Sequence, residues 1–129
     1  MAYTPQLNPQ PIGNVTVATP GTPVQLTTAM QSVNVGSGKM CTATDTVPCN
    51  KISFLASTIT QAGAGNTGNI YIGQQTMVRA TLAGVIAVIP PGTAFSITNN
   101  VSMNIYDLSK LYVDADTAND GVYGSIDTV

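Results

Sequence analysis

Apolar and polar residues alternate with period two along much of the chain. "NVTVAT" sets Val15 and Val17 against polar neighbours, and "PVQLTT" does the same with Val24 and Leu26. "KISFLASTI" puts Ile52, Phe54 and Ala56 on one face. "NIYIG" puts Ile70 and Ile72 on one face and Tyr71 on the other. "VSMNIYDL" is the cleanest case, with Val101, Met103 and Ile105 alternating with Ser102, Asn104 and Tyr106. Side chains of a strand point to opposite faces in turn, so this pattern predicts half-buried antiparallel strands. "GVIAVIP" is a continuous apolar run and predicts a central strand buried on both faces, or one whose outer face meets a partner. Few windows carry a 3.6-residue apolar repeat; "TAMQSV" and "DLSK" have room for one short helical turn.

Turn chemistry separates these runs. Pro20-Gly21 lies between the first two, and Pro90-Pro91-Gly92 ends the long apolar run. Asn99-Asn100 and Asp120-Gly121 each predict a tight hairpin, because Asn, Asp and Gly tolerate positive φ. The first residues read differently. Pro5, Pro9 and Pro11 fix φ and remove backbone donors among the spaced apolar residues Tyr3, Leu7 and Ile12. Residues 1–12 are therefore expected to form an extended Pro-rich arm, and 13–129 a single all-β domain: a jelly-roll-like β-sandwich or small barrel. Tyr3, Pro5, Leu7, Pro9 and Ile12 are the candidate partner-binding residues, since an arm can lay its apolar side chains along a neighbour.

Composition narrows the function. Charged residues are 8% of the chain against a usual share of about 25%. The surface must be mostly uncharged polar groups, which suits packing against other protein better than steering a charged ligand. The four cations Lys39, Lys51, Arg79 and Lys110 form no basic run, so no nucleic-acid partner is expected. "MAYTPQLNPQPIG" has no signal-peptide pattern, and "LAGVIAVIPPG" is too short to span a bilayer, so synthesis in the cytoplasm and no membrane partner are expected.

The candidate chemistry was weighed against context. "TQAGAGNTGNIYIG" spells G-x-G-x-x-G with Gly63, Gly65 and Gly68. A dinucleotide turn needs a helix after it and an acidic residue some 20 positions on. Here a strand pattern follows, and no acidic residue occurs between Asp45 and Asp107. "DADTANDG" looks like a calcium loop, but position 118 is Ala and the chain has no Glu for the closing ligand. Asp114 and Asp116 would share a strand face, yet nothing signals a sugar cleft or a raised pKa. Ser, Thr and Cys have no His partner, and no S-x-x-K occurs. No enzyme activity, cofactor or metal is expected. Cys41 and Cys49 are either free thiols or a short-loop disulfide.

The segment from Ile52 to Ile126 resembles small virion proteins of tailed bacteriophages. The resemblance rests on "ISFLAS", "NTGNIYIGQQTM", the "PPG" turn before "AFSI", and "DLSKLYVDADTANDGVYGSI"; "DLSKLYVDA" is its most specific part. It implies a compact β module on the outer capsid surface of a virion, with capsid decoration (cement), head-fibre base and tail-tip component as the roles. A short β domain with an arm and few charges suits a decoration protein bound to the major capsid protein, and the resemblance implies a homotrimer. The alternatives are a tail-tip or fibre module recognising a host glycan through Tyr71, Tyr106, Tyr112 and Tyr123, and a non-viral module for cell-surface or matrix assembly.

Overall fold

The computed structural model describes residues 8–32, 34–35, 39–40, 47–57, 65–98 and 106–128. It is a β-sandwich of two antiparallel sheets, not closed into a barrel. The first sheet has the order β1 (Asn8–Thr16), β11 (Gly121–Thr128), β5 (Pro48–Leu55), β8 (Ala94–Thr98), and β9 (Tyr106–Asp107) pairs with the start of β5 beyond β8. The second has the order β2 (Val24–Gln25), β10 (Tyr112–Ala115), β6 (Ile70–Val78), β7 (Ala83–Ile89). A short ribbon pairs β3 (Asn34–Val35) with β4 (Lys39–Met40). The two short helical turns fall where expected, as 3₁₀ turns at Ala29–Ser32 and Leu108–Lys110.

The period-two pattern sets which side chains meet between the sheets. Val15, Ile52, Phe54 and Ile126 come from the first sheet; Ile70, Ile72, Ile89 and Val113 come from the second. Each Ile or Val buried in this way contributes about 1.5–3 kcal/mol relative to exposure. Phe54 and Phe95 are directly paired across β5 and β8, and their rings stack with centroids 6.4 Å apart.

Three expectations change. Asn8 to Ile12, expected in the arm, run instead in β1, paired with β11. Pro9 and Pro11 fit because β1 is an edge strand, and a spacing of two puts both ring nitrogens on one side of it. The register shifts between Pro11 and Gly13, where Gly13 at φ +81° supplies the left-handed backbone of a bulge and Ile12 drops into the core. Second, β7 is an edge strand, not a central one: Ala87 and Ile89 turn toward the core while Gly84, Ile86 and Val88 are exposed, and the register slips by one residue at Ile86, between the pairs Ile72–Ala87 and Gly73–Val85. Third, Asp120-Gly121 makes no hairpin. β10 pairs with β2 and β6, and β11 with β1 and β5, so the connection crosses from one sheet to the other. The long "VSMNIYDL" strand is described only at its end, as β9; Val101 to Ile105 and the Asn99-Asn100 turn lie outside the described residues.

Candidate functional site

The last turn-rich segment holds the densest polar cluster. Asp114 on β10 is 1% exposed. Its Oδ1 accepts from Gly21 N (3.0 Å) and Ala115 N (2.8 Å), and its Oδ2 lies 3.3 Å from Arg79 Nε. Arg79 Nη1 donates to Asp116 Oδ1 (2.7 Å), whose Oδ2 accepts from Tyr71 Oη (3.0 Å). Burial, with the Asp116 hydrogen bond and charge beside it, raises the Tyr71 phenol above its ordinary value. Met77, Val78 and Ala80 complete the walls of a depression of about 410 Å³. Asp114 and Asp116 do share a face, as the spacing predicts, but the Arg79 guanidinium binds both. An acid–base pair for glycoside hydrolysis needs room for the sugar between its carboxyls. Here that room holds an ion-pair network joining the β1–β2 loop, the β6–β7 turn and β10.

Asp120 organises a second cluster. It is 5% exposed, and its Oδ2 accepts from Thr67 N (3.0 Å) and Gly68 N (2.8 Å). Beside it, the Asn66 amide pairs with the Gly121 backbone in both directions: Nδ2 donates to Gly121 O (2.7 Å) and Gly121 N donates to Asn66 Oδ1 (3.1 Å). A Cβ on Gly68 would stand 2.7 Å from Thr117 Oγ1 and 3.1 Å from Asp116 Cβ. The glycine-rich turn thus docks into the "DTANDG" loop, and Gly68 is small because that loop is against it. The Asp120 carboxylate accepts from backbone donors through Oδ2. Among the described residues no group of three or more His, Cys, Asp or Glu is placed to hold a metal.

The outer face of the first sheet carries the third feature. Tyr123, 41% exposed, pairs with Leu55, 37% exposed. Ser125, Ser53 and Ser96 align across β11, β5 and β8. Tyr123, Leu55, Ser53 and Ser125, with Pro11 and Gly124, line a shallow depression of about 470 Å³ that has no charged side chain in its walls. The small serine side chains set its floor between the larger Tyr123 and Leu55 on one side and Pro11 at the sheet edge.

The expected site residues scatter. Tyr3, Pro5, Leu7 and Cys41 lie outside the described residues. Pro9 is on β1. Ile12, 1% exposed, packs in the core and presents no surface to a partner. Cys49 carries a free, buried thiol; burial, reinforced by the Asp107 charge, pushes it up to about 11. Of the tyrosines named for stacking, Tyr71 is 9% exposed and bonded to Asp116, Tyr112 is half-buried, and Tyr123 is open to solvent; the side chain of Tyr106 lies outside the described residues. Arg79 is the site residue the pattern did not single out, and Asp120, read as a hairpin turn, instead anchors the 66–68 turn. One signal for Arg79 was present, since it is the only Arg in a chain with four cations.

Compared with known proteins, the chain matches no family model, no curated protein and no solved structure.

Proposed function

We propose that the chain is a structural virion protein, a capsid decoration (cement) protein that binds the outer surface of the major capsid shell and stabilises it. The phage resemblance supplies the setting. The observation that carries the docking is the uncharged depression on the outer face of the first sheet, where Leu55 and Tyr123 stay exposed beside Pro11, Ser53 and Ser125, with the paired Lys51 and Asp127 one step further along the same face. Burying side chains of this size against a shell contributes about 1.5–3 kcal/mol each, less the cost of ordering. Residues 1–7 precede β1 at the edge of the same sheet and extend the contact through Tyr3 and Leu7.

The test is co-sedimentation with capsid shells lacking the protein. The double variant Leu55→Asp/Tyr123→Asp is expected to lose at least about tenfold in occupancy while its circular dichroism is unchanged, because both side chains are exposed. Removing residues 1–7, and not the whole stretch through Pro11, tests the arm without stripping half of β1. Undiminished occupancy in both variants would overturn the reading. The exposed Tyr123 ring beside Ser53 and Ser125 favours one second reading, recognition of a host glycan by a tail module. A handful of copies per virion, with glycan binding lost in Tyr123→Ala, would establish that reading over the first.

A further inference from the structure

The crossing from β10 to β11 contains a dipeptide with chemistry of its own. Of all the Asp and Asn residues in the chain, only Asp120 is followed by glycine. In an Asp-Gly pair the glycine nitrogen can attack the aspartyl side-chain carboxyl, because no side chain on the glycine hinders its approach. The N–Cγ bond forms, the Cγ–O bond breaks, and the oxygen leaves as water with the proton from nitrogen. The product is a cyclic succinimide. Water then reopens the ring: opening at Cγ restores Asp, and opening at the main-chain carbonyl leaves isoaspartate. The backbone of isoaspartate runs through the former side chain and is one carbon longer. The balance needs no oxidant, cofactor or second protein.

Closing that ring requires the carboxylate to swing and the next peptide plane to turn, because the ring torsion lies outside the main extended and helical regions. Here every group involved is held. The Asp120 carboxylate accepts from Thr67 N (3.0 Å) and Gly68 N (2.8 Å). The attacking Gly121 N–H is engaged by Asn66 Oδ1 (3.1 Å). The carbonyl of the same peptide plane, Asp120 O, accepts from Val17 N (2.8 Å), so the plane is pinned at both ends. We propose that Asp120–Gly121 is a latent isoaspartate site kept closed by the 66–68 turn, so that isomerisation there records the opening of that turn. This inference does not rest on the shell-docking reading, because it concerns only the chain itself.

The fold requires the labile pair and also supplies its restraint. A Cβ on Gly121 would collide with the Val15 carbonyl oxygen of β1, so the glycine is fixed by the approach of that strand. Asp120 is fixed by the two turn donors it accepts. The turn itself is lightly held: Gly65 and Thr67 are exposed, and Asn66 and Gly68 are half-buried. Such segments open at lower cost than the strands they join. Because residues 66–68 hold both the carboxylate and the nitrogen, one opening releases both reacting groups together. Isomerisation then prevents the return. The carboxylate is left on a shorter stem, and the added carbon enters the backbone just where β11 begins its pairing, with Gly121 opposite Thr16.

Incubation at neutral pH in water of heavy oxygen, followed by peptide mapping, tests this. Each ring opening places one heavy oxygen in residue 120, and the isoaspartyl peptide separates from the aspartyl one by chromatography. The chain unfolded in guanidinium chloride is expected to isomerise at residue 120. The native protein should do so at least about a hundredfold more slowly, because modification of an opened state follows its population. Protection of the Gly121 amide against hydrogen exchange measures the same opening without any variant, and should agree with that rate ratio within about tenfold. Asn66→Ala removes both hydrogen bonds to Gly121 and should speed native isomerisation at least about tenfold, or about 1.4 kcal/mol in the opening equilibrium. Ile52→Val weakens the core through β5 without touching the turn, and should isomerise like the parent. Equal rates in native and unfolded protein, or no isoaspartate at residue 120 in the unfolded chain, would overturn the proposal. So would an exchange protection far from the rate ratio, an unchanged rate in Asn66→Ala, or equal acceleration in Ile52→Val and Asn66→Ala.

Discussion

Replacing Asp120 by Ala removes the single carboxylate on which the 66–68 turn is hung. Asp120 Oδ2 accepts two backbone N–H groups, from Thr67 and Gly68, at 3.0 and 2.8 Å. Hydrogen bonds to a charged group are worth about 1.5–3 kcal/mol each, and Asp120 is only 5% exposed, so little of that is already met by water. The freed donors lie in a partly exposed turn and recover some hydration. The net loss should be about 2–4 kcal/mol. Asp120→Asn keeps an acceptor but not the charge and should lose about half as much. Urea unfolding followed by circular dichroism measures this. With a slope of about 1–3 kcal/mol per molar urea, the midpoint for Asp120→Ala should fall by roughly 1–2 M at unchanged slope. A loss below about 0.5 kcal/mol, the scale of an ordinary surface substitution, would refute the assignment of Asp120 as the anchor.

Three further outcomes follow from the same geometry. Burial alone would raise the Asp107 carboxyl, but hydrogen bonds from Val47 N and from the Ser109 side chain and backbone, with the nearby Lys110 charge, outweigh it and hold the group below its ordinary 3.8. A lowered folded-state pKa gives stability that is present above that ordinary value and lost as pH falls through the folded one. Acid titration of stability should therefore show a loss below about pH 4 that is smaller in Asp107→Asn; an identical slope in both proteins would contradict this. Cys49, at about 11, should resist iodoacetamide at pH 8 in the native protein and react in urea, as mapped by peptide mass; native labelling within minutes, or a Cys41–Cys49 bridged peptide, would overturn the buried free thiol. Leu82→Asn relieves a left-handed leucine worth about 1–2 kcal/mol of strain while giving up little burial, so monomer stability should hold or rise by up to about 1 kcal/mol; a fall of 2 kcal/mol or more would show that Leu82 packs inside its own subunit.

The sandwich was legible because its strands are half-buried. In β5 and most of β11 one face meets the core and the other meets solvent, so the alternation in the residues is the alternation in burial, whereas the start of β6 is buried on both faces. The reading failed where that link breaks. In β7 both faces are apolar, and the residues alone cannot tell a strand buried twice from an edge strand with an apolar outer face. In β1 the prolines argued against a sheet strand, yet an edge position leaves one row of backbone groups unpaired and tolerates them. Asp120-Gly121 has hairpin letters in a crossover role, because sheet membership is decided by which strands pair, and that is a non-local property. The polar clusters were hidden for the same reason. Asp120 and Gly68 are 52 positions apart, and Asp114 and Gly21 are 93 apart.

The distribution of charge ties these features together. Of the six acidic residues, four are committed inside the subunit: Asp107 to Val47 and Ser109, Asp114 and Asp116 to Arg79, and Asp120 to the 66–68 turn. Asp107, Asp114 and Asp120 each accept from backbone donors in connections between strands, and Asp116 binds the Arg79 and Tyr71 side chains. Arg79, one of four cations, is committed as well. A chain that commits so many of its few charges to its own loops keeps little field for its surface: β7 carries none, and the outer face around Tyr123 carries one directly paired cation and anion, Lys51 and Asp127. Contacts on such surfaces depend on shape and apolar area, so their strength should change little with salt. An assembly held by exposed ion pairs would weaken as ionic strength rose. Equal shell occupancy at low and high salt, lost in the Leu55→Asp/Tyr123→Asp variant, is the behaviour expected of contacts made through these apolar side chains.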